Sequence, residues 1–600
     1  MNKVFKLIYT TCLIGVFFSC EDYLDKTLET DLTVDEVFKN FNNAQGFVEE
    51  MYAMIVDYST AAHWQHYMCY GEDAIGVDTW LFDYAIDEGN YWNWQGAGSM
   101  FTGGGNTSSD LPFSRHAIWP SSWAGIRKAN IVIGSAPELL KDATPQEVDA
   151  IMGQAYFFRA FFHHELMKFW GSMPYIDRVL ADDWKIERPT EWAETALKID
   201  EDFQRAADLL PVDWDDPNFA PGVKTNGQNM FRITKGAALA LKGKNLLYAA
   251  SPLMQGNDNT YAYNKELCQR AAEAFAQVLQ ISRYQLISWE DYGSVFYSNQ
   301  NRYPYSTEFI FSQAGNVGWF GGYLPGNWQI GSMGVDNKTS YPTHNYIYNY
   351  FGMNDGLACE DSPNYDAGDP WANRDPRFYK WVVVDGDQMV KNLGAATGNN
   401  EKNRFAQFNN GGVHRYPAIE NGTRTGYVAK KWFPLTHNKF DNQYGFAWRS
   451  HVRLTDVYLM YAESALMAYG INGAPSGFSM SALDAINKIR ERAVPDGSLN
   501  VAPEYLTNVE KFMDEVRRER AVEMAWEAHR WMDVRRWKLG TDMKYKLKTE
   551  ILFDRNADGK PINLVERVLR TKVFDEKHYW LPLPQNDTEL YEGFPQNPGW

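Results

Sequence analysis

Apolar side chains recur every three or four positions through Ile151, Ala155, Phe158, Phe162, Leu166 and Phe169, a spacing that puts them on one face of an α-helix and cannot serve a strand. The pattern returns at Ile233, Ala237, Ala240 and Leu247, where Ser251-Pro252 stops it, because a residue before proline avoids the helical region. A further helix is predicted from about 265 to 281. Tyr458, Tyr461, Ala462, Ala465 and Tyr469 form a stripe ending at Gly470, with a partner helix from about Ser481 to Arg492. Small residues where helices cross allow close approach. The chain is therefore mostly α, a scaffold of tetratricopeptide-like helix pairs over about 34–57, 119–281 and 453–540.

Two stretches, about 58–118 and 289–448, break that period and are rich in Gly, Asn, Tyr and Trp. Turn residues there mark loops and short strands, and Glu308-Phe309-Ile310-Phe311-Ser312 reads as one buried strand. Loops this long in an ordered body are usually functional. The chain holds 22 Trp and 35 Tyr, side chains with a flat apolar face and a polar edge. Such a ring stacks on the C–H face of a sugar while neighbouring amides, carboxylates or guanidiniums bond its hydroxyls. The candidate ligand platforms are Trp80, Trp92 and Trp94 in the first block, and Tyr297, Trp319, Tyr323 and Trp328 with Asn316 in the second.

The leader constrains location. Lys3 and Lys6, an apolar run from Leu7 to Phe18, then Ser19-Cys20 make a stretch too short to span a bilayer but suited to processing. Residues 1–19 read as a lipoprotein signal peptide and 20–600 as the body, with Cys20 the lipidated, palmitate-bearing anchor. A net charge of −18 argues against nucleic acid and anionic head groups as partners. Cys69, Cys268 and Cys359 show no metal or redox spacing and read as buried thiols, with a single disulfide among the three as the alternative.

Catalytic patterns are weak. Glu519, Glu523, Glu527, Arg530, Asp533 and Arg536 fall three or four apart, so they read as an ion network along one helix. Carboxylates stacked on one face do not flank a sugar bond across the roughly 5 to 9.5 Å that glycosidases use. His163-His164-Glu165 lacks zinc-protease spacing and reads as a packed, partly exposed helix turn, and Gly103-Gly104-Gly105 reads as a flexible turn. Asp554, Asn556 and Asp558 with Gly559 resemble a calcium loop, but position twelve is Val565. A hairpin turn is the favoured reading there, and no cofactor is expected otherwise.

Several segments together resemble the SusD/RagB family of Bacteroidota surface lipoproteins. They are Gly153-Gln154-Ala155-Tyr156-Phe157-Phe158-Arg159-Ala160 with Phe169-Trp170-Gly171, Lys235 to Leu241, Arg453 to Glu463, Ile486 to Ala493, Glu519 to Met524, Glu527 to Trp537, Trp580 to Pro584 and Gln596 to Trp600. The resemblance implies a right-handed scaffold of tetratricopeptide-like helix pairs with a loop-rich ligand-binding face. It implies a partner too, a TonB-dependent SusC-like outer-membrane transporter that the lipoprotein caps. Glu21, Asp22 and Asp25 resemble the acidic surface-export signals of such proteins. The function so implied is non-catalytic capture of oligosaccharides at the cell surface, outside the outer membrane. Alternatives are a RagB-like peptide-binding lipoprotein, and a surface glycoside hydrolase.

Overall fold

A computed structural model describes residues 33–56, 58, 67–76, 79, 81–92, 100–102, 117–258, 262–298, 306–312, 328, 340–389, 404–418, 422–434 and 446–600. Its longer helices are α1 (Phe41–Ala53), α2 (Ile118–Leu139), α3 (Pro145–Trp170), α4 (Trp192–Leu209), α5 (Lys235–Ala250), α6 (Lys265–Leu279), α7 (Leu454–Tyr469), α8 (Ala482–Ala493) and α9 (Val509–Glu523). The seven-residue α10 (Arg530–Arg536) follows. From α2 onward each helix packs against the next as far as α7, and both α8 and α9 pack against α7. This succession of packed neighbours is the tetratricopeptide-like scaffold expected from the sequence.

Local chemistry sets the helix ends. Thr144 caps α3 in a reciprocal box with Glu147, with Pro145 in the first turn, and Gly171 closes it at φ 88°. Close approach comes from glycine: a Cβ on Gly125 of α2 would meet the Phe162 ring of α3. Phe157, Phe158 and Phe162 are buried there and stack or meet edge-on with their neighbours. His163, His164 and Glu165 are also buried. That corrects the partly exposed turn expected from sequence, because α3 is enclosed by α2, α4 and α5.

Strands are short and antiparallel: β1 (Ala74–Gly76) pairs with β4 (Ser340–Pro342), β2 (Tyr297–Ser298) with β7 (Phe446–Ala447), β3 (Phe309–Phe311) with β8 (Val452–Arg453), and β5 (Val382–Val383) with β6 (Val428–Ala429). Among the described residues only the hairpin of β9 (Leu547–Arg555) and β10 (Pro561–Thr571) is long. A second apolar core lies under the loop-rich block, where Phe296, Trp381, Trp432 and Trp526 are buried together. The body thus has one core among the helices and another beneath the loops.

The charged segment after α9 is not one helix. α9 stops at Glu523, and Trp526 (φ 59°) and Ala528 (φ 67°) take the left-handed conformation before α10 begins. No glycine or proline marks the break. Instead, the buried Lys431 ammonium donates to the carbonyls of Glu523 (3.0 Å) and Ala525 (3.1 Å), and Arg453 Nη2 donates to the carbonyl of Glu523 (2.9 Å). Helix-end carbonyls, which have no partner within the helix, are satisfied from outside.

Candidate functional site

The loop-rich face is held by an ion network that starts at β3 and β8. Glu308, just before β3, takes Arg492 (2.5 Å), Arg453 (3.5 Å) and the Thr455 hydroxyl (3.0 Å). Glu523 accepts from Tyr292 and Arg492 and lies 3.5 Å from Arg453. Glu527 takes Arg453 (2.8 Å) and Lys431 (2.6 Å), while Glu519 takes Arg377 and Arg490. Burial pushes the Glu523 carboxyl upward, but Arg492, Arg453 and Arg377 outweigh it and hold it at about 2. Glu523 and Glu527 are almost fully buried and spent on cations, so they frame the loops from inside and present no carboxylate to a ligand. Asp533 likewise pairs with Arg520 (2.6 Å) and Arg536 (2.9 Å), whereas Arg530 reaches away to Glu72 (2.6 Å).

On that frame the candidate platforms separate. Trp92 is 40% exposed. Its ring stands edge-on to Trp600 at 6.0 Å, and Trp600 stacks on buried Tyr91 at 5.6 Å and is anchored by its indole N–H to the carbonyls of Lys577 and Trp580. Trp92 is therefore partly open to solvent beside the anchored Trp600 ring. Trp328 is 1% exposed and packs against Trp526 at 5.7 Å. It is a core residue and is withdrawn from the platform set, because the apolar floor under the loops has room for its indole. Tyr297 is half-buried in β2, and burial pushes its hydroxyl upward. Trp80, Trp94, Asn316, Trp319 and Tyr323 lie outside the described residues.

Two clefts open nearby. One, of about 510 Å³, runs from the 213–234 segment to β3, with Asp213, Asp215, Asn226, Arg283 and Ser312 among its walls. Ser312 is the last described residue before 313–327, and its hydroxyl is fixed to Ser450 at 2.8 Å. The carboxylates, amide and guanidinium in the walls of this cleft suit sugar hydroxyls. The other, of about 390 Å³, is more apolar and includes Trp119, Trp123, Trp184 and Tyr591.

Sequence reasoning missed Tyr416, which is 43% exposed with the Arg424 guanidinium 3.8 Å from its ring centre. Its sequence setting looks like that of the buried aromatics around it, so only tertiary exposure singles it out. Asp554 lies near the end of β9, and Asn556 and Asp558 are in the β9–β10 turn. The Asn556 side-chain oxygen accepts from the amides of Asp558 (3.0 Å) and Lys560 (2.9 Å), and Asp554 accepts from Asn410 (2.9 Å) and Asn563 (3.0 Å). These oxygens already serve the hairpin. Among the described residues no group of three His, Cys, Asp or Glu side chains is placed to hold a metal, and Cys69, Cys268 and Cys359 are buried free thiols.

Fold and site define a helical-repeat protein with an aromatic loop face. Residues 294–600 match the model of the SusD family, and residues 22–244 match one described as starch-binding associating with outer membrane. The chain belongs to the SusD family. It is 25% identical over 504 residues to SusD-like protein P2 of Formosa agariphila, covering 81% of this chain and 80% of that one. In structure it resembles a SusD-like protein of Bacteroides fragilis (TM-score 0.68, 20% identity, 95% of this chain and 100% of that one). It also resembles a laminarin-binding SusD-like protein (TM-score 0.53, 17% identity, 94% and 100%). Among the described residues no helix is long and apolar enough to cross a membrane.

Proposed function

We propose that this protein is a non-catalytic, surface-exposed outer-membrane lipoprotein, anchored through Cys20, that captures oligosaccharides and passes them to a TonB-dependent SusC-like transporter. The reading rests chiefly on the 510 Å³ cleft, whose walls carry Asp213, Asp215, Asn226 and Arg283 for sugar hydroxyls, with Trp319 as the first aromatic platform. Membership of the SusD family supports it, as does the laminarin-binding neighbour. Exposed Trp92 adds a second ring on a rigid backing. The acids that a hydrolase would draw on from α9 and the turn after it are held by Arg and Lys in the interior.

Soluble protein lacking residues 1–20 should be retarded in affinity gels containing its polysaccharide and should bind oligosaccharides on a glycan array. Binding to peptides alone would overturn the sugar assignment, and turnover of a labelled glycan would overturn the non-catalytic one.

A further inference from the structure

A separate polar cluster in the interior carries more positive charge than its neighbours neutralise. A buried cavity of about 30 Å³ lies between α3, α5 and the chain just before β8 and α10. That exceeds the roughly 10–15 Å³ that one water-sized guest needs. Lys168, Lys244 and Arg449 line it against a single carboxylate, Glu165, and Glu165 is spent on Lys168 at 2.6 Å. The carboxylate paired with Lys244, Asp456, is 3.9 Å away and is held more closely by Arg520 at 2.6 Å. Asp533 in turn is shared between Arg520 and Arg536 and is not among the residues lining the cavity.

Arg449 makes no ion pair among the described residues. Its guanidinium donates to the carbonyls of Ser450 (3.2 Å) and Glu527 (3.4 Å), and its Nε–H is buried without a partner. His451 Nδ1 accepts from Arg449 Nη2 at 3.4 Å, so its proton sits on Nε2, which is also buried and unpartnered. His529 Nε2 is buried without a partner too. His164 differs: its Nδ1 donates to the Asn245 side-chain oxygen (3.3 Å), which leaves a lone pair at Nε2 for a water to fill. Unmatched buried cations and donors are costly unless something of opposite charge meets them.

We propose that this cavity binds a small monovalent inorganic anion of the size of chloride, with water at His164. The three cationic walls disfavour a metal cation, and the small volume favours a compact anion. Burial pushes Lys244 down to about 8 and pushes His451 down as well, with Arg449, Lys168 and Lys244 adding to the effect on the imidazole. The anion ties Arg449 and His451, which follow the loop-rich block, to Lys168 of α3 and Lys244 of α5, and so fastens the binding face to the scaffold.

Crystals grown in bromide in place of chloride should show an anomalous peak in this cavity within hydrogen-bond reach of Arg449 and His451. Thermal unfolding at fixed pH and ionic strength should move upward as chloride replaces gluconate, on the order of 1 °C per tenfold rise once the site fills. Lys244→Met should flatten that dependence. The bromide peak decides: a water there without anomalous signal overturns the proposal whatever the unfolding midpoint does. If Lys244→Met does not fold, the wild-type bromide crystals still test the site on their own.

Discussion

Single side chains here are judged by what they face. Glu523 meets Arg492, Arg453, Arg377 and the Tyr292 hydroxyl in the interior, so Glu523→Ala strands buried guanidiniums and should cost about 3–5 kcal/mol in denaturant unfolding. Its carboxyl, and that of Glu515 beside Arg518 and Arg490, are held at about 2 against an ordinary 4.5. Between those values the unfolded chain binds more protons, so the stability these groups contribute is full above pH 4.5 and is lost as pH falls toward 2. His163 adds an earlier step. Its Nδ1 donates to the Arg159 carbonyl (2.8 Å) and its Nε2 accepts from the Ile176 amide (2.9 Å), an arrangement only neutral imidazole can make. Burial lowers it from 6.5 to about 3, so its contribution is complete above pH 6.5 and shrinks below it. Nitrogen NMR should find this ring neutral, with the proton on Nδ1, at pH 5; an imidazolium signal there would refute the assignment.

At the scale of elements, packing between helices depends on a few small residues. Gly125→Val would drive a side chain into the Phe162 ring and should destabilise α2 against α3 by about 1–3 kcal/mol, read as a lower unfolding midpoint. The helices themselves were legible in the sequence, because Ile151 to Phe169 and Tyr458 to Tyr469 repeat at helical spacing whatever surrounds them. The break after Glu523 was not legible. Its cause, Lys431 and Arg453 drawing off the last carbonyls, comes from residues 70 or more positions away in sequence. The β9–β10 hairpin was legible only at its Asp558-Gly559 turn, since most of β10 is exposed on both faces and carries no alternation of apolar and polar residues.

For the whole molecule, the question is which rings the scaffold turns outward, and here sequence reads composition well and exposure poorly. Trp92 and Trp328 sit in similar Gly-rich surroundings, yet one is 40% exposed and the other 1%, because Trp526 and its neighbours form an apolar floor that receives only the second. Three substitutions therefore should behave differently in one glycan-retention assay run beside thermal unfolding. Trp328→Ala empties a core position and should cost about 3–5 kcal/mol of stability, lowering the midpoint without weakening retention by the protein that remains folded. Trp319→Ala should leave the midpoint in place and weaken binding by about 2 kcal/mol or more, a factor of about 30. Trp92→Ala should do the same if ligand also reaches the ring backed by Trp600. Full binding by Trp92→Ala together with loss by Trp319→Ala would put the site at Trp319 and away from Trp92, and full binding by both would remove stacking from the capture mechanism.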